Sequence, residues 1–265
     1  MAHVIVTGGS SGIGLAVARI FVARGDRVSL LARTPALLQS ARDGLLAVHP
    51  NAQVCVESVD VSRETAVVDA VDRCEARFGA CDILVASAGI VQPGLFEAIS
   101  AEAFNRQIET NLTGSVNAAR AVYAAMKTRR SGRIMLVSSG AGLIGIYGYS
   151  AYSASKFALH GFAEALRSEA QPHGVKISVC FPPDTETPQF ARELDERPLE
   201  AAVVMGRVAP WSADVVASRI VRAIDRGIFE VFFGPTLYGL GRFGSLIKPL
   251  LNWWLDRAIG RITRR

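Results

Sequence analysis

Tyr152 and Lys156 stand four positions apart in the run Tyr-Ser-Ala-Ser-Lys, at the head of an apolar-periodic segment that continues through Phe157, Phe162 and Leu166. On a helix, positions i and i+4 share a face, so the phenol and the ammonium project side by side. A free phenol titrates at about 10, and a neighbouring cation favours its charged form, drawing it toward the range where it exchanges a proton near neutral pH. Such a pair can serve as the acid–base part of a redox site. One Tyr-x-x-x-Lys is a weak signal by itself. The rest of the chain has to supply a cradle for an electron carrier and further polar groups beside the phenol.

The cradle stands near the N-terminus. A short buried-strand run, Val4 to Val6, leads into Thr7-Gly8-Gly9-Ser10-Ser11-Gly12-Ile13-Gly14 and then into a helical pattern through Leu15, Ala18, Ile20 and Val22. Strand, glycine-rich turn and helix in this order form the phosphate cradle of a dinucleotide fold: glycines admit the backbone close to the pyrophosphate, whose charge meets the helix N-terminus. The second strand, Arg27–Ala32, ends at Arg33, where an acid would accept hydrogen bonds from the adenosine ribose. A cation there suits a 2′-phosphate instead, so NADP is expected over NAD.

Helices at 35–48 and 63–78 alternate with strands at 53–59 and 82–86, which predicts a parallel sheet covered on both faces. Asp60, at the end of the third strand, suits either the adenine edge or a cap for the next helix. Ser87-Ala88-Gly89 follows the fourth strand, where small residues let the backbone lie close to a ligand. A long helical pattern, 101–128, contains Asn111. Its amide competes for backbone partners, which leaves three readings: a local kink, a water-holding site or an exposed position. A fifth strand, 133–137, ends at Ser138-Ser139-Gly140, at the sheet end where open α/β folds bind ligands. A sixth strand (175–180), a helix (212–227) and a seventh strand (228–233) complete an α/β, Rossmann-type doubly wound parallel sheet of about seven strands with helices on both faces.

At 265 residues, with 50% hydrophobic and 20% charged, the chain suits one large domain. Four cysteines, Cys55, Cys74, Cys81 and Cys180, lack Cys-x-x-Cys spacing and partner histidines, which reads as reduced, buried thiols and no metal site. No basic n-region or cleavage pattern follows Met1, so a cytoplasmic setting is expected, with room for a peripheral position at the inner face of a membrane. Of the net charge of +5, the tail carries the excess: six basic residues against one acid, Asp256, follow Pro235. The expected division is a catalytic domain over 1–235 and a basic amphipathic helical tail over 236–265. In that tail Leu251, Trp254, Leu255, Ala258, Ile259 and Ile262 form one stripe, with Arg257, Arg261 and Arg264 off it. The apolar run is too short to cross a bilayer. It suits a membrane surface, with arginines on anionic lipid, or docking on the body or a second subunit; the membrane surface is preferred, and no nucleic-acid partner is expected.

Taken together, Thr7-Gly8 with Gly12 and Gly14, Asp60, Ala88-Gly89, Asn111, Ser139, and Tyr152 with Lys156 resemble the short-chain dehydrogenase/reductase family over roughly residues 3 to 235. Ser139 stands thirteen residues before Tyr152, the spacing of that family's catalytic serine. The resemblance implies four catalytic residues. Tyr152 would protonate the nascent alkoxide, Ser139 would hold the carbonyl oxygen, Lys156 would bind the nicotinamide ribose and lower the phenol's pKa, and Asn111 would hold a water that relays protons to Lys156. It also implies NADPH/NADP contacts from Thr7, Gly8, Ser10, Ser11, Gly12, Ile13, Gly14, Arg33, Asp60, Val61, Ala88, Gly89, Tyr152, Lys156, Pro182, Thr185 and Thr187, and a homo-oligomer, dimer or tetramer.

Two departures stand out. The family's Asn-Asn-Ala-Gly is here Ala86-Ser87-Ala88-Gly89, and its Pro-Gly after the sixth strand is Pro182-Pro183. The loop Pro-Pro-Asp-Thr-Glu-Thr-Pro (182–188), with Arg197-Pro198-Leu199-Glu200 beyond it, resembles the 3-ketodihydrosphingosine reductase branch. The implied substrate is a small-molecule lipid ketone, a 2-amino-3-oxo base. Asp184 or Glu186 would attract its ammonium or cap the following helix. Reduction of another ketone, and a cofactor-binding scaffold without chemistry, are the rival readings.

Overall fold

The computed structural model of the chain describes residues 1–206 and 209–262. Arg264 of the expected tail pattern lies outside the described residues, as does Arg265.

Seven strands, β1 (His3–Thr7), β2 (Arg27–Ala32), β3 (Val54–Ser58), β4 (Ile83–Ala86), β5 (Gly132–Val137), β6 (Val175–Phe181) and, after a separate two-stranded pair β7 (Thr185–Glu186) and β8 (Trp211–Ser212), β9 (Glu230–Phe232), make up the architecture's main sheet. Every pairing in it is parallel, and the order is β3-β2-β1-β4-β5-β6-β9. Runs such as Val4-Ile5-Val6, fully buried, are apolar on both sides because helices cover both faces. On one face α1 (Gly12–Ala23), α2 (Pro35–Val48) and α9 (Ala213–Arg226) close over Val4, Val6 and Met135. On the other, α3 (Glu64–Phe78), α5 (Gly114–Thr128) and α6 (Ser150–Ala170) pack on Ile5, Leu84 and Leu136. The direction of winding reverses between β1 and β4, and the crevice at their C-terminal ends is where such sheets take ligands.

The helix expected over 101–128 is interrupted. α4 (Ala101–Ile108) passes through a π-helical turn, Glu109–Thr113, before α5 begins. Asn111 lies in this turn and is fully buried, which removes the exposed reading and agrees with the kink. Its Oδ1 accepts from the Ile90 backbone N–H at 2.7 Å, and its Nδ2 donates to the Ile90 carbonyl at 2.9 Å and to Ser155 Oγ at 3.0 Å. The widened turn's own Asn111 carbonyl accepts from Ser115 Oγ at 2.8 Å.

Beyond β6 the chain builds a flap from β7, α7 (Pro188–Glu196) and α8 (Ala201–Met205), then returns through β8. The tail is α10 (Gly234–Ile262), kinked at Phe243 and carrying Pro249. It does not stand apart from the body: Arg242 pairs with Glu230 at 2.7 Å, the Lys248 ammonium lies 5.1 Å from the Phe157 ring centre, and Leu255 is buried. The expected apolar stripe divides. Leu251, Leu255, Ala258 and Ile259 are sheltered, whereas Trp254 and Ile262 are exposed and belong with Leu246, Leu250 and Trp253 on an outer apolar face.

All four cysteines are free and buried. His3, also buried, donates from Nδ1 to the Gly79 carbonyl at 2.6 Å, since a carbonyl only accepts, and its Nε2 lies 2.8 Å from Ser29 Oγ. Burial holds its pKa below the usual histidine value. The unfolded chain therefore gains a proton, as pH falls below about 6.5, that the folded ring resists, and stability drops with it. Thermal unfolding between about pH 7.5 and about pH 5.5 should show a shallower loss of Tm in His3→Gln than in the parent chain. Equal slopes would contradict this account of His3.

Candidate active site

A cavity of about 400 Å³ opens where the strands end. The loop after β1 lines it with Gly8, Ser10, Ser11, Gly12 and Ile13, the end of β2 with Arg33, and the loops after β3 and β4 with Val61, Ala88 and Gly89. Ser139 follows β5, Pro182, Thr185 and Thr187 follow β6, and Tyr152 and Lys156 reach in from α6. Residues that the sequence spreads over most of the chain thus share one wall.

Gly8 shows why the turn needs glycine. Its φ is +68°, and a Cβ there would lie 2.8 Å from the Ala88 backbone nitrogen. Thr7 and Gly14 stand behind the wall: Thr7 Oγ1 accepts from that same Ala88 N–H at 3.2 Å, tying the β1 and β4 loops together. Gly14 packs on the Gly8 carbonyl, 2.5 Å from where its Cβ would be. α1 starts at Ser11 and Gly12 with no side-chain cap and no acid in its first turn, so its N-terminal N–H groups remain available to an anion. Arg33 is exposed at the end of β2.

Asp60 stands between the lining residues Val59 and Val61. Its Oδ1 accepts from the Ser62 backbone N–H at 3.0 Å and from Ser62 Oγ at 2.8 Å in a local turn ahead of α3, whose N-cap is Arg63, so Asp60 is not that helix's cap. Asn111 is behind the wall, with both amide N–H groups engaged. A Cβ on Gly89 would lie 3.2 Å from Asn111 Oδ1 and 3.5 Å from Lys156 Nζ, which gathers Gly89, Asn111 and Lys156 into one corner.

The two serines after β5 divide their work. Ser138 is buried and donates to the Lys156 carbonyl at 3.0 Å, fixing the strand to α6. Ser139 faces the cavity, its Oγ accepting from Ala141 N–H at 3.2 Å, and its hydroxyl is near enough to the Tyr152 phenol to draw that pKa down. Lys156 Nζ donates to the Val137 carbonyl at 2.9 Å and lies 5.6 Å from the Tyr152 ring centre. Burial lowers its pKa to about 8.

One expectation is overturned here. The phenol is not drawn toward neutrality by the ammonium; its pKa is held well above the ordinary tyrosine value, first by burial and further by the carboxylates of Glu193 and Asp184, with the Ser139 hydrogen bond pulling the other way. In the free protein the cost of taking the phenolate out of water sets the direction of the shift.

Two lining residues, Tyr149 and Glu193, carried no signal in the sequence. Tyr149, at the head of α6, donates its hydroxyl to Glu193 Oε1 at 2.8 Å, and its ring meets the Tyr152 ring edge-on at 6.3 Å. Arg197 donates to the Tyr149 hydroxyl at 3.1 Å, to Asp184 Oδ2 at 2.7 Å and to Glu193 Oε1 at 2.6 Å. The carboxylate of Asp184 is therefore taken by Arg197 and does not cap α7. The cap is Thr187, whose Oγ1 accepts from Phe190 N–H at 3.1 Å while its methyl leans on Gly12. Glu186 is exposed on β7.

Comparison with known proteins agrees with this construction. A family model described as short chain dehydrogenase matches residues 2–198. The chain is 40% identical over 254 residues to a 3-dehydrosphinganine reductase of Danio rerio, covering 95% of this chain and 76% of that protein. It is equally similar, over the same shares, to a 3-ketodihydrosphingosine reductase of Bos taurus. Among solved structures, levodione reductase superposes with a TM-score of 0.81 at 27% identity, covering 88% of this chain and 95% of that one. With its glycine turn, its reversal between β1 and β4 and its tyrosine–lysine pair all inside the matched region, the chain belongs to the short chain dehydrogenase family and is an oxidoreductase that works between a ketone and a secondary alcohol.

Proposed function

We propose that the chain reduces the 3-keto group of a long-chain sphingoid base, 3-ketodihydrosphingosine to dihydrosphingosine, with NADPH, a step of sphingolipid biosynthesis. The observation that carries this reading is the 40% identity, spread over 95% of the chain, to reductases of that ketone.

The residues present fit a 2′-phosphorylated dinucleotide. The uncapped N-terminus of α1 and the bare Gly8 turn offer room and N–H donors for the pyrophosphate, and exposed Arg33 offers a fork for the extra phosphate. When bound, a reduced nicotinamide supplies the hydride that adds to the carbonyl carbon. Ser139 Oγ donates a hydrogen bond to the carbonyl oxygen, and Tyr152 delivers its phenolic proton to that oxygen, so the C=O double bond becomes CH–OH. Lys156 places a positive charge beside the phenolate left behind. Asn111 acts as a positioning residue, holding the Gly89–Ile90 segment against Lys156 through both its amide atoms. A phenol held above its ordinary pKa is protonated at neutral pH in the free protein, the form from which a proton is donated.

The lipid nature of the substrate gives the outer face of α10 a use. Leu246, Leu250, Trp253 and Trp254 are exposed there beside Arg257 and Arg261, a composition suited to the interface of an anionic membrane. Among the described residues no helix is long and apolar enough to cross a membrane, so the contact is peripheral to the bilayer.

Purified protein given 3-ketosphinganine should oxidise NADPH in preference to NADH, and Tyr152→Phe should lose about 10²- to 10⁴-fold in kcat while still binding the nucleotide. No turnover of this ketone would refute the substrate, and an unchanged rate in Tyr152→Phe would refute the proton donor. For the tail, Leu250→Ser/Trp253→Ser/Trp254→Ser should no longer float with anionic liposomes that carry the parent protein, and equal flotation would refute the membrane role.

A further inference from the structure

The network that Arg197 gathers is placed where a substrate would meet it. Asp184 comes from the loop after β6, Glu193 from α7 and Tyr149 from the head of α6, and all three line the cleft, whereas Arg197 does not. The guanidinium sits behind the wall and the carboxylates form part of its surface. Arg197 occupies only one oxygen of each acid, Asp184 Oδ2 and Glu193 Oε1. The other two, Oδ1 and Oε2, have no hydrogen-bond partner among the described residues and are not among the buried atoms left unsatisfied, so they reach open space. Two carboxylates against one guanidinium leave a surplus negative charge on this wall. Arg192, the other cation lining it, is exposed on α7 and screened by solvent.

The location of this charge relative to the reacting groups is what gives it meaning. Tyr149 bridges Glu193 to the edge of the Tyr152 ring, so the acids stand one side chain away from the phenol. They are close enough for their charge to be felt there. Away from these acids the cavity is also lined by Arg33, at the end of β2, while Lys156 stands beside the phenol. A ketone flanked by a cation matches the two acids, and a ketone without one leaves the free carboxylate oxygens unanswered.

We propose that the Asp184–Arg197–Glu193 network makes the cleft select a substrate that carries an ammonium next to its ketone, with Asp184 and Glu193 meeting the cation and Arg197 acting as the positioning residue behind them. The proposal rests on the ketone-reductase reading above and adds the group that decides among ketones. Arg197 is suited to its part because one planar fork holds two acids and the Tyr149 hydroxyl at once, which a lysine ammonium does not reproduce.

The test compares two ketones on the full-length protein with NADPH: 3-ketosphinganine, and the same long-chain ketone with hydrogen in place of its 2-amino group. The parent enzyme should favour the amino ketone in kcat/KM. Glu193→Gln, close in shape and still able to accept from Tyr149 and Arg197, should cut that preference by about ten- to a hundredfold, chiefly through KM for the amino ketone. Asp184→Asn should shift it in the same direction. Arg197→Lys should lower the preference as well, with NADPH affinity retained as the sign of an intact fold. Loss on both ketones by one common factor in all three variants would overturn the proposal and leave the ketone-reductase reading standing. A parent enzyme inert toward both ketones would overturn the two together.

Discussion

A buried ammonium has to find a partner, and the one Lys156 finds determines the site. Its Nζ donates to the carbonyl of Val137, the last residue of β5, while Ser138 Oγ returns a hydrogen bond to the Lys156 carbonyl. These two bonds lock the first turns of α6 across the end of the central strand. Because Tyr152 is one helical turn before Lys156 and Ser139 is two residues after Val137, the lock brings phenol and hydroxyl into the same cavity. Moving α6 along the sheet would strand a positive charge in a dry interior, a cost of several kcal/mol that keeps the geometry fixed.

The second support comes from the far side of the cleft. Asn111, caught in a π-helical turn, binds both polar groups of Ile90 and also Ser155 of α6, so the loop after β4 and the helix that carries the tyrosine are held by one amide. A π turn is a poor use of backbone by itself. Here it turns a side chain that a regular helix would aim elsewhere into a three-way clamp, at the corner where Gly89 and Lys156 approach each other. The third support is the flap, where Arg197 ties α7 to the loop after β6 and to Tyr149.

Local signals made most of the framework legible. The Gly8–Gly14 turn between a strand and a helix, the alternation of apolar strands with amphipathic helices, and the Ser139, Tyr152 and Lys156 spacing are all set by short stretches of chain. What could not be read depends on partners remote in sequence. Burial, not proximity to Lys156, decides the acidity of Tyr152, and burial is the sum of everything packed above it. Tyr149 and Glu193 look like ordinary residues in the sequence, and Arg197, there only part of a motif, gains its partners once the flap packs against α6. The tail's periodicity gave the helix, but which apolar residues turn inward depends on the body beside it, so Trp254 and Ile262 fell on the wrong side of the expected stripe. Asp60 has a local partner that its position did not announce, one oxygen of its carboxylate being held by Ser62 two residues on.

The account is that of a reductase whose proton comes from a phenol kept neutral by its surroundings. Titrating that phenol tests it most directly. With tyrosine labelled by ¹³C at the ring carbon bearing oxygen, and the Tyr152 signal identified as the one missing from Tyr152→Phe, the resonance should hold its protonated position past the ordinary tyrosine value of about 10. A phenolate signal that appears near neutral pH in the free protein would contradict it.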